Sequence, residues 1–208
     1  MQLYPAIVTY LRAVEKEIGT IPAERKDILD KIAAFVTERA HAGKPSNLVF
    51  ICTHNSRRSH ISQLWAAAAA AYYGIEGVQT FSGGTEVTAF NPSAVKALND
   101  AGFQITVAKD GDNPMYEARL GHDLPVIESF SKKFGDAPNP TADFAAIMTC
   151  SSADEGCPFV PGAAARISTP FNDPKASDGT QQQEQVYAER CKDIATEILY
   201  AFSQVKKD

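Results

Sequence analysis

Cysteine is scarce in this chain, with four thiols in 208 residues at positions 52, 150, 157 and 191. That is too few to staple a fold of this length. It excludes a disulfide-built scaffold and fits a reducing, cytoplasmic setting in which any disulfide is transient and chemical. Long apolar runs are also missing. No stretch approaches the roughly eighteen uninterrupted apolar residues that a membrane-spanning helix needs, so no membrane partner is expected. The opening Met1-Gln2-Leu3-Tyr4-Pro5 lacks a positive segment followed by an apolar core, so no signal peptide is expected. Surplus positive charge is absent too. The net charge of -5 argues against a nucleic-acid footprint. What remains, 44% apolar and 22% charged residues, is ordinary for a soluble globular protein long enough to bury one substantial core.

The chain is organised around Leu48-Val49-Phe50-Ile51-Cys52-Thr53-His54-Asn55-Ser56-Arg57-Arg58-Ser59. The apolar run reads as a strand buried in a parallel sheet. A thiol stands where the strand ends, and a run of helix formers follows Ser59. Successive backbone N–H groups in such a loop can point inward and form an anion-binding hollow. The start of the next helix adds free N–H groups and a positive dipole end. Arg58 supplies a planar fork that matches two oxygens of a tetrahedral oxyanion, and Ser59 can donate to the sulfur. Cys52 therefore reads as a thiolate nucleophile facing a cradle for phosphate or a similar anion. A buried structural cysteine beside an incidental arginine is the bland alternative.

Two further stretches carry chemistry. Phe144-Ala145-Ala146-Ile147-Met148-Thr149 is another buried strand, followed by Cys150-Ser151-Ser152-Ala153-Asp154-Glu155-Gly156-Cys157. Across a short helix the two thiols would lie roughly 10 Å apart along the axis. A disulfide needs Cα atoms about 4.4–6.8 Å apart. The pair can join only if the segment unwinds, which is the behaviour of a redox switch; two inert core cysteines are the other reading. Near the last strand, Asp173-Pro174 offers a carboxyl whose direction the proline restricts, although Asp-Pro is also a common turn.

Cys52 to Ser59 resembles the phosphate loop of the low-molecular-weight protein tyrosine phosphatases, a fold and loop shared by the thioredoxin-coupled arsenate reductases. Asn55 and Ser56 match that loop, while His54 and Arg57 depart from it and bring bulk and positive charge. The resemblance implies a phosphotyrosine phosphatase I-like α/β fold, an open parallel sheet of about four strands in three layers. It implies oxyanion binding by Thr53, His54, Asn55, Ser56, Arg57, Arg58 and Ser59, with Asp173 as general acid. Cys150 and Cys157 resemble the second and third redox cysteines of the arsenate reductases, with thioredoxin as the reductant. Arsenate or a phosphate ester is the implied substrate, and a phosphatase acting through Cys52, Arg58 and Asp173 is the alternative. No organic cofactor is implied. Ser82 and Asn55 match two members of a potassium site of some arsenate reductases, but Gln63 stands at its acidic helix position.

The remaining chain supports an alternation of strands and helices. Residues 1–46 read as a helical hairpin outside the resemblance, with Ile7, Val8, Leu11, Val14 and Ile18 on one face of the first helix and Ile28, Leu29, Ile32, Phe35 and Val36 at the same spacing on the second. It serves either to cover one face of the sheet or to dock a partner. Residues 47–208 form the α/β domain. Its helix after Ser59 carries Trp65 as a core residue and six alanines. Val78–Phe81 is a strand, Asn91-Pro92-Ser93 starts a helix, and Phe103–Val107 is a short strand or its remnant. The stretch 108–143 is expected to hold short helices around Met115–Leu120 and Val126–Phe134, as a flap or an insertion. Arg166-Ile167-Ser168 ends the last strand. Residues 182–204 form a terminal amphipathic helix carrying an inert Cys191.

Overall fold

The computed structural model describes residues 2–157 and 159–206. Among these residues, seven strands and six α-helices follow the order α1 (Pro5–Glu15), α2 (Ala23–His41), β1 (Ser46–Cys52), α3 (Arg58–Tyr73), β2 (Val78–Gly84), α4 (Pro92–Asp100), β3 (Gln104–Lys109), β4 (Met115–Arg119), β5 (Ile127–Ser129), β6 (Phe144–Met148), α5 (Ser151–Gly156), β7 (Ala163–Ser168) and α6 (Gln183–Ser203). The central sheet is parallel, in the order β2-β1-β6-β7. The expected open α/β architecture is therefore present, with β1 interior and buried on both sides. Leu48 and Phe50 face one layer, where α1 to α4 and α6 build the larger core. Val49 faces the other, where α5, Phe134 and Val160 cover a smaller one. Side chains alternate across a strand, so a strand clad on both faces must be apolar at every position.

The N-terminal hairpin is built into the larger core. Ile7, Leu11 and Val14 of α1 and Leu29, Ile32, Phe35 and Val36 of α2 are buried there with the α6 residues Ile194, Ile198 and Leu199. The hairpin packs chiefly on α6, and α2 also reaches β1 and β7. Arg25 of α2 donates to Glu197 of α6 through Nε and Nη2, at 2.9 and 2.7 Å, and lies 5.1 Å from the ring of Phe171.

Residues 108–143 depart from expectation. The short helices expected around Met115–Leu120 and Val126–Phe134 are replaced by strands β4 and β5, which form a separate antiparallel sheet with β3. The reason is a period of two. Tyr116, Ala118 and Leu120 are buried while Met115, Glu117 and Arg119 are not, as a sheet with one covered face requires. This sheet leads into residues 130–139, which return to the central sheet through a bridge between Gly84 and Lys133. Among the described residues, no helix is long and apolar enough to cross a membrane.

Gly84 joins β2, the anion loop and this returning segment. A Cβ there would lie 2.6 Å from Glu86 O and 2.7 Å from both Asn55 N and Thr53 O, all backbone atoms. Gly84→Ala is expected to destabilise the fold by about 1–3 kcal/mol, the usual cost of overpacking. Urea unfolding of the two proteins measures it; an unchanged midpoint would show that the loop has room there.

Candidate active site

The loop from Cys52 to Arg58 is held from outside by its carbonyl groups. Cys52 O accepts from Thr85 N at 3.3 Å, Thr53 O from Glu86 N at 2.8 Å, and Ser56 O from Asn91 N at 2.9 Å. His54 O accepts from the hydroxyls of Thr88 and Ser131, both at 2.9 Å. Asn55 sits at φ 43°, a left-handed turn that asparagine tolerates better than most residues. With the carbonyls turned outward, the peptide N–H groups are left for the interior. Among the described residues, no backbone N–H from Thr53 to Arg58 has an acceptor. Such a row of free donors, closed by the start of α3, suits an oxyanion.

The thiol and its supports converge on this hollow. Cys52 is 3% exposed, and its sulfur lies 3.1 Å from Ser59 Oγ. Asn55 Nδ2 donates to the same hydroxyl at 2.9 Å, which leaves the Ser59 proton for the sulfur. Asn55 Oδ1 in turn accepts from Lys132 N at 2.9 Å, so the second sheet's returning segment braces the loop. Arg58 donates through Nη2 to Asp173 Oδ2 at 2.7 Å and through Nη1 to Phe171 O at 3.0 Å. Its Nε is buried with no partner. Asp173 Oδ1 accepts from Lys175 N at 3.0 Å, capping the short 3₁₀ turn Pro174–Ser177. The structure thus brings Asp173 to the stretch that carries Cys52, Arg58 and Ser59.

His54 and Arg57 were expected to add bulk and charge at the loop, and their side chains are engaged elsewhere. His54 Nε2 is 3.3 Å from Glu86 Oε2 at the surface. Arg57 donates to Tyr187 Oη at 2.6 Å and Asp178 Oδ2 at 2.8 Å. That leaves the loop hollow only their backbone N–H groups. Tyr187 and Asp178 escaped the sequence reading because nothing near them marks a site; one reads as an amphipathic helix position and the other as a loop acid.

Neighbouring strands bring the second thiol to the loop of the first, and the third follows at the end of α5. Thr149 donates to Ile51 O through both N and Oγ1, at 2.7 and 2.9 Å, so the end of β6 is clipped to the end of β1. Cys150 Sγ lies 3.5 Å from Thr53 Oγ1 and accepts from Ala153 N at 3.3 Å, as the N-cap of α5. Cys52, Cys150 and the half-buried Cys157 share the smaller core. Arg166 of β7 ties α5 down, donating to Asp154 O at 2.6 Å and Cys157 O at 3.2 Å. Cys191 stands apart beneath Trp65, whose Nε1 lies 3.3 Å from its sulfur. Burial pushes that thiol up to about 12, which keeps it protonated and inert.

A potassium ion at Asn55 and Ser82 does not fit. Asn55 Oδ1 is already bonded to Lys132 N, and Ser82 Oγ shares a hydrogen bond with His60 Nδ1 at 3.2 Å. Gln63 brings no charge, and Lys132, 4% exposed, brings an ammonium instead. His60 is buried against Phe90 and titrates well below its usual range, first from desolvation and then from the Lys132 charge. Burial lowers Lys132 itself from 10.5 to about 8, with Asp136 opposing the shift. An unfolded lysine keeps its proton across this interval, so the unfolded state binds more protons and stability rises with pH there. The unfolding free energy of wild type should therefore gain on that of Lys132→Met between about pH 8 and 10.5. Parallel urea titrations test this, and two curves that stay parallel across the window would refute it.

No protein-family model matches the chain. Curated sequences do. The chain is 28% identical over 160 residues to an arsenate reductase of Bacillus subtilis, covering 77% of this chain and 96% of that protein. It is 26% identical over 157 residues to an arsenate reductase of Bacillus licheniformis, covering 76% and 94%. Among solved structures, a YwlE mutant from Bacillus subtilis superposes with a TM-score of 0.50 at 15% identity, covering 78% of this chain and 99% of that one. By sequence, then, the chain is similar to arsenate reductases of Bacillus, and its architecture is that of the low-molecular-weight protein tyrosine phosphatase fold.

Proposed function

We propose that the protein is an arsenate reductase that uses Cys52 as nucleophile, passes oxidation to Cys150 and Cys157, and is regenerated by thioredoxin. Arsenate would occupy the hollow formed by the N–H groups of residues 53–58 and the Arg58 guanidinium. The Cys52 thiolate attacks arsenic, and Asp173 protonates the departing oxygen, which leaves as water. Cys150 then attacks the Cys52 sulfur. The bonding pair of the arsenic–sulfur bond stays on arsenic, which leaves as arsenite, and two thiols become one disulfide. Cys157 attacks Cys150, freeing Cys52, and the Cys150–Cys157 disulfide passes to an external dithiol.

One observation carries this reading: Cys150 Sγ sits 3.5 Å from Thr53 Oγ1, in the loop peptide directly after the nucleophile. Hydrolysis of a phosphate ester has no use for a second thiol there. The helix between Cys150 and Cys157 also suits the last transfer. It has six residues, too short to be stable alone, so its stability rests on ties such as Arg166 that can be released. A phosphatase acting on small phosphate esters is the second reading, supported by the assembly of Cys52, Arg58 and Asp173 without recourse to the other cysteines.

Steady-state arsenate reduction with thioredoxin separates the two. Cys52→Ser, Cys150→Ser and Cys157→Ser should each abolish it, with Cys157→Ser stopping after one turnover as a Cys52–Cys150 disulfide detectable by peptide mass. Reduction that survives both Cys150→Ser and Cys157→Ser rules the relay out. Brisk p-nitrophenyl phosphate turnover untouched by those changes would establish the phosphatase instead. Replacing potassium by sodium should leave the rate unchanged, because the amide and hydroxyl that a cation would need are committed within the protein.

A further inference from the structure

We propose that Arg57, Asp178 and Tyr187 form a clamp that holds the acid-bearing loop in place while Arg58 changes partner from Asp173 to the oxyanion. The proposal rests on the reading of Asp173 as general acid and Arg58 as oxyanion ligand.

The need for a clamp follows from the way Arg58 is engaged. Its Nη2 is bonded to Asp173 and its Nη1 to Phe171 O, and only Nε, on the edge shared with Nη2, is unpartnered. A guanidinium grips a tetrahedral oxyanion with two parallel N–H groups. Taken on the Nε–Nη2 edge, the oxyanion competes with Asp173 for Nη2. An acid that must deliver a proton to the departing oxygen has to face that oxygen, not the guanidinium. The 2.7 Å Arg58–Asp173 pair therefore opens on binding. Once it opens, the bond from Lys175 N to Asp173 lies within the loop and anchors it to nothing outside.

The far end of the loop is anchored by three groups that bond one another. Arg57 Nη2 donates to Asp178 Oδ2 at 2.8 Å, Arg57 Nε donates to Tyr187 Oη at 2.6 Å, and the Tyr187 hydroxyl donates to Asp178 Oδ1 at 2.7 Å. The Arg57 side chain is 11% exposed, so this is no solvated surface pair. Desolvation works against its charge, but the Tyr187 hydrogen bond and the carboxylates of Asp173 and Asp178 outweigh it and raise the pKa above its usual value. Tyr187 is pushed up to about 12, first by burial, and keeps the proton it donates. Arg57 is also the residue next to Arg58, at the cap of α3. The clamp thus fixes the acid loop to the very peptide that presents the oxyanion arginine, and nothing in it needs to break when Arg58 turns. Arg57 is a positioning residue, acting through Asp173.

A double-mutant cycle tests this on kcat/KM for arsenate reduction, with wild type, Arg57→Gln, Asp173→Asn and the pair. Misplacing a catalytic group costs roughly tenfold to a hundredfold. Arg57→Gln should lose that much in the wild-type background and almost nothing once Asp173 is Asn, since groups that act together are not additive. Equal losses in both backgrounds, or no loss in either, overturn the clamp. An Asp173→Asn protein as active as wild type fails differently: it removes the general acid, and the clamp with it. Tyr187→Phe keeps the packing and removes only the hydroxyl, so it serves if Arg57→Gln folds poorly, and its smaller loss should likewise vanish once Asp173 is Asn. Phosphate affinity measured in Cys52→Ser should not change with Arg57→Gln, because the loop N–H groups and Arg58 remain; weakened binding would mean that Arg57 shapes the cradle, not the acid.

Discussion

A short loop can offer its N–H groups to an anion only if its carbonyls have somewhere else to go. Each carbonyl from Cys52 to Thr53 to His54, and that of Ser56, is taken by a donor outside the loop, from Thr85, Glu86, Thr88, Ser131 or Asn91. Most of the surrounding structure can be read as provision for these bonds. The segment after β2 supplies three of the donors, the N-cap of α4 supplies another, and the return from the second sheet supplies Ser131. Buried peptide groups must be paired, so the donors determine which way the peptides turn. The free N–H groups are what that leaves.

The second sheet serves the loop as well as the larger core, to which it gives Ile105, Tyr116 and Ala118. Residues 130–139 reach the loop only because β3, β4 and β5 carry the chain there. They deliver Lys132 N to Asn55 Oδ1, the Ser131 hydroxyl to His54 O, and a bridge to Gly84. In this arrangement Asn55 becomes a relay. It orients Ser59 with one end and is held by the protein backbone at the other, where a cation would otherwise be wanted. Lys132 then places a buried ammonium near the loop, at a desolvation cost visible in its lowered pKa.

Much of the central sheet was legible from local pattern. β1 is apolar from Leu48 to Cys52 because both its faces are covered there, and Cys52 could be placed at its end for the same reason. α3, β2, α4, β6 and α6 followed from helical or strand periodicity and from caps such as Asn91, whose side chain accepts from Ser93 N and Ala94 N. The stretch 108–143 was misread. Its strands β4 and β5 are five and three residues long, and prolines and glycines interrupt the alternation before it becomes distinctive. The helical hairpin was legible as helices, but its place against α6 was not, since an apolar stripe says that a face is covered and not by what.

The sequence by itself determined that a thiol ends an interior strand, that a tight turn and an arginine follow, and that two more thiols flank a short helix. These are properties of neighbouring residues, governed by backbone geometry and by the period of apolar side chains. Only the tertiary structure decided which groups meet at that turn. Arg57 finds Asp178 and Tyr187 across 121 and 130 residues, and Arg58 finds Asp173 across 115. Such contacts are set by the order of the strands and the packing of α6 on α3, and no local rule of spacing contains them.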